Sequence, residues 1–390
     1  MKFVMSTTYK REQKCNMYLW RNMKKILIVV GTRPNFIKVT QFKKEALAAG
    51  NVEIKIVHTG QHYDRNMADV FFEQFDLVPD YFMQIESGTP NTQMAQIMLA
   101  LEKLILEQYT PDLLIVVGDV NSTFAAATTA NKMQIPLAHL ESGLRSYDRT
   151  MPEEFNRLAA DELSDYYFVT EQSGLDNLLR DGRKKENIFF VGNTMIDTMV
   201  AFEEKIQASD IKQKLKIGSN EDFVLMTIHR PSNVDNIEGA KKLLQLIDYI
   251  TAIQTLIFPM HPRTSKRFEE YHLLEKLTTN KNLILTEPLD YFAFQKLIAD
   301  CKYILTDSGG IQEESTFRRI PCLTIRPNTE RPSTIEIGSN TLVEWDFELL
   351  KKYIDQIESD TYKQGDVPPL WDGKATKRII EVIKDLQIGG

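Results

Sequence analysis

The chain has 390 residues, 43% of them hydrophobic and 26% charged, with a formal net charge of -7. That length favours two domains over a single large α/β domain, and the composition is that of an ordinary folded globular protein, without the marks of disorder. The acidic balance argues against a dominant nucleic-acid or anionic-membrane surface, so any anion site has to be a local pocket for a small phosphate-bearing ligand.

Residues 1–23 read as an N-terminal extension ahead of the first strand pattern, which begins after Met23. They lack the continuous apolar core and small-residue cleavage pattern of a secretory signal, and no later apolar run reaches membrane-spanning length. Cys15, Cys301 and Cys322 are too few and too irregularly spaced for a disulfide framework or a zinc cluster. A cytoplasmic protein without a bound metal or a membrane partner is the expectation.

From Lys25 onward the runs KILIVV, IKIVH, LLIVVG, PLAHL, YYFVT and IFFVG alternate with segments of helical period such as NTQMAQIMLALEKLILEQY. Short valine- and isoleucine-rich runs of this kind predict a parallel sheet with helices on both faces, here one doubly wound, Rossmann-like domain over 24–195. A charged stretch from Asn193 to Asn220 breaks the pattern. It restarts with FVLMTI, TLIFPM, LILT, YILT, IPCLTI and TLV, predicting a second such domain over 196–370. Residues 371–390 read as a C-terminal helix, with packing back onto the N-terminal domain as one arrangement open to it. The fold class is therefore α/β, two Rossmann-like domains facing a central cleft, since open parallel sheets bind ligands at the carboxyl ends of their strands.

The polar residues of interest follow strand patterns directly. After KILIVV, GTRPNFIK places Gly31 at a tight turn, Pro34 at a helix start, and Arg33 and Lys38 where they can face an anion. Solvated cations on a plain strand-to-helix turn are the alternative. Asp119 follows LLIVVG and Glu141 follows PLAHL, while Glu153 and Glu154 open a helix behind Pro152. Each acid alone suits a cap or an ion pair, but carboxylates converging from consecutive strand ends suit acid/base work. His229 and Arg230 follow FVLMTI, and His261 and Arg263 follow TLIFPM; a histidine beside an arginine can bind phosphate or donate a proton. In DSGGIQEES, Asp307 or Ser308 can cap a helix, and Gly309 and Gly310 let backbone N–H groups approach an anion, with Glu313 and Glu314 close behind. Arg326 and Arg331 can add cationic contacts or be surface charge.

Taken together, GTRPNFIK, GQHYD, VVGD, HLESGLRS, PEEFNR, Thr227-Ile228-His229-Arg230, DSGGIQEES and TERP resemble, in order and spacing, the non-hydrolysing UDP-N-acetylglucosamine 2-epimerase family from about Lys24 to about Leu386. The resemblance implies a two-domain GT-B architecture with a mobile cleft, UDP held mainly by the second domain, a homodimer, and no cofactor beyond the UDP-sugar substrate. Carried over residue by residue, it makes Asp119, Glu141, Glu153 and His229 catalytic and puts Arg33 and Lys38 beside the substrate. It gives the diphosphate turn to Ser308, Gly309 and Gly310, a ribose contact to Glu314, a further ligand contact to Arg331, and the surroundings of uracil to Leu289 and Phe294. Gln61, His62 and His261 match an allosteric UDP-sugar site found in some members, but Tyr63 replaces its usual arginine. Asn35, Val120 and Ser142 also depart from the usual glutamate, threonine and alanine, and none of them removes a catalytic group.

The implied activity is inversion of the second sugar carbon of UDP-N-acetylglucosamine through loss and return of UDP. A 2-epimerase of a decorated UDP sugar such as UDP-2,3-diacetamido-2,3-dideoxyglucuronate, or a hydrolysing epimerase, would carry most of the same motifs. An ordinary GT-B glycosyltransferase and a non-catalytic nucleotide-sugar sensor lie further away.

Overall fold

The structure, a computed structural model, describes residues 23–61, 72–218 and 220–388. Each apolar run named above forms a strand. In the first sheet these are β1 (Lys24–Val30), β2 (Val52–His58), β4 (Leu113–Val117), β5 (Leu137–Leu140), β6 (Tyr166–Val169) and β7 (Ile188–Phe190). One strand was not foreseen, the two-residue β3 (Tyr81–Phe82), which pairs with the end of β2. The order is β3-β2-β1-β4-β5-β6-β7 and every pairing is parallel. In the centre, Ile28 lies beside Ile56 on one side and Ile115 on the other. All of β4 is buried, and its sequence LLIVV does not alternate because both faces of the sheet are covered.

The second sheet contains β8 (Phe223–Thr227), β9 (Thr255–Pro259), β10 (Leu283–Thr286), β11 (Tyr303–Thr306), β12 (Cys322–Ile325) and β13 (Asn340–Val343). Its order is β10-β9-β8-β11-β12-β13, again parallel throughout. Val224, Met226 and Leu305 enter one core, while Phe223, Leu225 and Ile304 enter the core on the opposite face. Successive side chains of a strand alternate between faces, and each fully buried aliphatic side chain stabilises by about 1.5–3 kcal/mol. The strand order reverses between β1 and β4 in one sheet and between β8 and β11 in the other. Such switch points open a crevice beyond the strand ends.

The described residues form two compact units, one drawn from the spans 23–144, 149–198 and 372–388 and the other from 145–148 and 199–371. The helix Ala375–Asp385 packs in the first unit against the helix Phe42–Ala49 and β2. The buried Asp197 carboxylate accepts the N–H groups of Ala375 at 3.0 Å and Thr376 at 2.5 Å, capping that helix from a distant part of the chain. At the other end, Lys24 Nζ donates to the carbonyls of Ile383, Lys384 and Leu386 at 2.8, 2.6 and 2.6 Å. A cation there also complements the negative end of the helix dipole. Among the described residues no helix is long and apolar enough to cross a membrane.

Candidate functional site

In the first unit the turns after β1, β4 and β5 lie side by side, because those strands are neighbours. Pro34 sits in the first turn of the helix Arg33–Ile37, with Arg33 exposed at its start. Lys38 caps the end of that helix, is buried, and forms a short hydrogen bond and ion pair with Glu141 Oε2. Glu141 is itself 2% exposed, so this is a dry ion pair. Gly118, at φ +63, passes close by: a Cβ there would lie 3.1 Å from Asn35 Nδ2, 3.3 Å from Glu141 Oε2 and 3.8 Å from Lys38 Nζ. Any side chain at Gly118 would therefore both strain the backbone and crowd the pair.

Asp119 follows that glycine. Its carboxylate accepts from Arg157 Nη1, and its carbonyl accepts from Asn156 Nδ2 at 2.8 Å. Arg157 also donates to Glu154 Oε2, from Nη2 at 2.6 Å and from Nε at 3.2 Å. Glu154, Asn156 and Arg157 are buried, whereas Glu153 is exposed and has no ion pair among the described residues. All stand on the helix Pro152–Leu163, whose period turns Glu154 and Arg157 to one side. Arg157 and Asn156, which hold Asp119, were passed over by the sequence reading, which named Glu154 only as an acid of the helix's first turn. The available signal was the three-residue spacing of Glu154 and Arg157 behind a helix-opening proline.

Gln61 accepts from the Ser122 N–H at 3.0 Å and from its hydroxyl at 2.6 Å, holding the start of the helix Asn121–Lys132. His62 and Tyr63 lie outside the described residues.

In the second unit Asp307 is wholly buried at the end of β11. It does not cap the helix that follows. Its carboxylate accepts the N–H groups of His229 at 3.0 Å and Arg230 at 2.8 Å, and Asn233 Nδ2 at 2.9 Å. His229 Nδ1 stands 3.2 Å from Asp307 Oδ1. The His229 ring stacks on His261 at 5.1 Å. His261 accepts the Arg263 N–H on Nδ1 at 3.1 Å, and burial, with His229 and Arg263 adding to it, pushes its pKa down.

Ser308 occupies the N-cap of the helix Gly309–Phe317 without a side-chain cap bond. Its hydroxyl makes no cap bond to the helix, and helix N-termini of this kind are suited to anions. Gly309 lies against a cluster of charges: a Cβ there would meet Glu330 Oε1 at 2.9 Å, Arg331 Nη1 at 3.2 Å and Arg326 Nη1 at 3.9 Å. Glu330 bridges Arg326 Nη2 at 3.0 Å and Arg331 Nη1, and Arg331 Nε pairs with Glu313 at 2.7 Å. Arg326 and Arg331 are buried, not surface charge. Glu314 is buried on the same helix, and Leu289 and Phe294 pack half-buried against the core beneath β10 and the helix Tyr291–Asp300.

Each unit thus carries its own chemistry at its switch point: carboxylates paired with cations in the first, and a glycine turn, a histidine and two arginines in the second. Known proteins with the same sequence and fold bear directly on this division. The UDP-N-acetylglucosamine 2-epimerase family matches residues 44–384. The UDP-N-acetylglucosamine 2-epimerase of Methanocaldococcus jannaschii is 39% identical over 367 residues, covering 92% of this chain and 98% of that protein. The UDP-2,3-diacetamido-2,3-dideoxy-D-glucuronate 2-epimerase of Pseudomonas aeruginosa is 35% identical over 323 residues, covering 82% and 88%. A crystal structure of the Methanocaldococcus jannaschii enzyme in complex with UDP-GlcNAc and UDP superposes with a TM-score of 0.83 over 92% of this chain and 99% of that one. In sequence along almost its whole length and in fold, the chain belongs to the UDP-N-acetylglucosamine 2-epimerase family.

Proposed function

We propose that the chain interconverts UDP-N-acetylglucosamine and UDP-N-acetylmannosamine by eliminating and readding UDP. The hydrogen on the second sugar carbon has no carbonyl beside it, so its direct removal would be slow. Departure of UDP with the electron pair of its bond to the first carbon gives that carbon oxocarbenium character and makes the neighbouring hydrogen acidic. A carboxylate then takes the proton, leaving an unsaturated sugar. Return of a proton on the opposite face, with readdition of UDP, gives the epimer.

Asp119 and Glu141, supported by Glu153, are assigned the acid/base steps. Arg33 and Lys38 stand next to the sugar. Ser308, Gly309, Gly310, His229 and Arg331 hold the diphosphate, Glu314 the ribose, and Leu289 and Phe294 the uracil. The observation that carries this reading is the pairing of two of these acids with cations, Asp119 with Arg157 and Glu141 with Lys38. A charge-assisted hydrogen bond contributes about 1.5–3 kcal/mol, and a donor aimed at developing charge roughly a hundredfold in rate. Gln61, His62 and His261 are assigned to an effector site, and the working form to a cytoplasmic homodimer.

Incubation with UDP-N-acetylglucosamine in heavy water tests the scheme. Asp119→Asn and Glu141→Gln are expected to abolish deuterium entry at the second sugar carbon with the fold intact; wild-type turnover in either removes that residue from the mechanism. The 35% identity to an enzyme of a decorated substrate favours a second reading, epimerisation of a UDP-diacetamido-uronate. A panel of UDP sugars separates the two, and proton NMR of the products distinguishes epimerisation from release of free sugar.

A further inference from the structure

His139 and Asp161 take no part in the roles above, yet they are 0% and 1% exposed in the first unit. His139 Nε2 faces the carbonyl oxygen of Gly118 at 2.8 Å, and Nδ1 faces Asp161 Oδ1 at 2.7 Å. Both neighbours are acceptors, while a neutral imidazole has a single N–H. A proton therefore lies in the His139–Asp161 hydrogen bond whichever atom carries it. The same carboxyl group accepts the Gly143 N–H, at 3.1 Å on Oδ2 and 3.3 Å on Oδ1. The result is one unbroken chain from the Gly118 carbonyl through His139 and Asp161 to the Gly143 amide.

Its two ends are informative. Gly118 immediately precedes Asp119, and Gly143 lies two residues after Glu141. Both glycines are left-handed, at φ +63 and +79, a conformation glycine enters about as readily as its mirror image, so backbone preference alone does not select these turns. A Cβ on Gly143 would come within 2.2 Å of the Gly174 carbonyl, which leaves that turn no room to relax. We propose that His139 and Asp161 are positioning residues that hold the Asp119 turn and the Glu141 turn at a fixed separation, an inference that rests on the reading that these two carboxylates work on the sugar. The link is dry, so water does not compete for it, and it joins strand β5 to the helix Pro152–Leu163 that supplies Arg157 to Asp119.

The test uses steady-state epimerisation of UDP-N-acetylglucosamine by the full chain, with UDP affinity and thermal unfolding measured alongside. His139→Phe keeps an aromatic ring and removes both ring nitrogens. Asp161→Ala breaks the chain at the carboxyl, whereas Asp161→Asn restores it: the amide N–H donates to Nδ1 of a neutral ring that still donates to Gly118, and the amide oxygen accepts from Gly143. His139→Phe and Asp161→Ala are expected to lose about tenfold to a hundredfold in kcat, the scale of a small misplacement of reacting groups. KM and UDP affinity should change little, and Asp161→Asn should recover most of the rate. If His139→Phe does not fold, the Asp161→Ala and Asp161→Asn comparison decides alone. Folded Asp161→Ala with wild-type kcat, or Asp161→Asn as slow as Asp161→Ala, overturns the positioning role and leaves the epimerase reading intact. Failure of the wild-type chain to turn over any UDP-linked acetamido sugar overturns both.

Discussion

Glu141 has φ +70, a left-handed backbone that costs a residue with a side chain about 1–3 kcal/mol when the surroundings enforce it. The enforcement is visible in the Lys38 ion pair and in the close passage of Gly118. Asn35 uses its amide N–H on the Val117 carbonyl at 3.2 Å and its oxygen on the Thr32 hydroxyl at 2.9 Å. A carboxylate could make only the second bond. His58 is a residue with a clear pH signature. It is buried at the end of β2, stacks on Phe82 at 4.9 Å, and accepts the Gly60 N–H on Nδ1 at 3.0 Å. Burial pushes its pKa down from 6.5 to about 4. The unfolded chain takes up this proton first, so the contribution to stability is whole above pH 6.5 and is lost as pH falls toward 4, levelling off below. The loss is at most about 3 kcal/mol. His58→Asn keeps an acceptor for Gly60 and cannot titrate there; urea midpoints measured across this window should show a flatter profile than the wild type, and an unchanged slope would assign the effect elsewhere.

At the scale of elements, the strands were legible because a buried parallel strand is written as a short, unbroken apolar run, as in LLIVV. β3 was not, since two residues that pair with one strand end leave no pattern. The strand-end positions of Asp119, Glu141, His229 and Ser308 were equally legible. What supports them was not. Arg157 and Asp161 sit within a helix, where period alone says which side they face but not which turn they reach, and His139 lies inside a run that reads as plain core. Ser308 and Asp307 looked like rival caps, and only the fold shows Asp307 turned back to the His229 turn. The cap on the helix Ala375–Asp385 comes from Asp197, far away in sequence, and was invisible for the same reason. Burial pushes the Asp197 carboxyl up against the pull of those two N–H groups. Asp197→Ala should cost about 2 kcal/mol, the scale of a lost cap that leaves buried donors unpaired, and should speed hydrogen exchange in that helix. Asp197→Asn keeps an acceptor without a buried charge and should lose less in urea denaturation.

At the scale of the whole molecule, the same strand plan occurs twice, yet the two switch points carry different chemistry, which is why fold alone would not have named the activity. The first unit is closed by residues 372–388, with Lys24 at one end of its sequence tied to carbonyls at the other. Removing residues 372–390 should therefore lower the melting temperature of the first unit, while unfolding of the second, followed by the fluorescence of its Trp345 and Trp371, should shift less. Equal shifts in both would show that the units melt as one. This closure also orders synthesis in time. On the ribosome, the half that begins to emerge first must wait, its Phe42–Ala49 helix and β2 still uncovered, until the helix Ala375–Asp385 clears the exit tunnel, so the later-made half can complete its fold before the earlier one does.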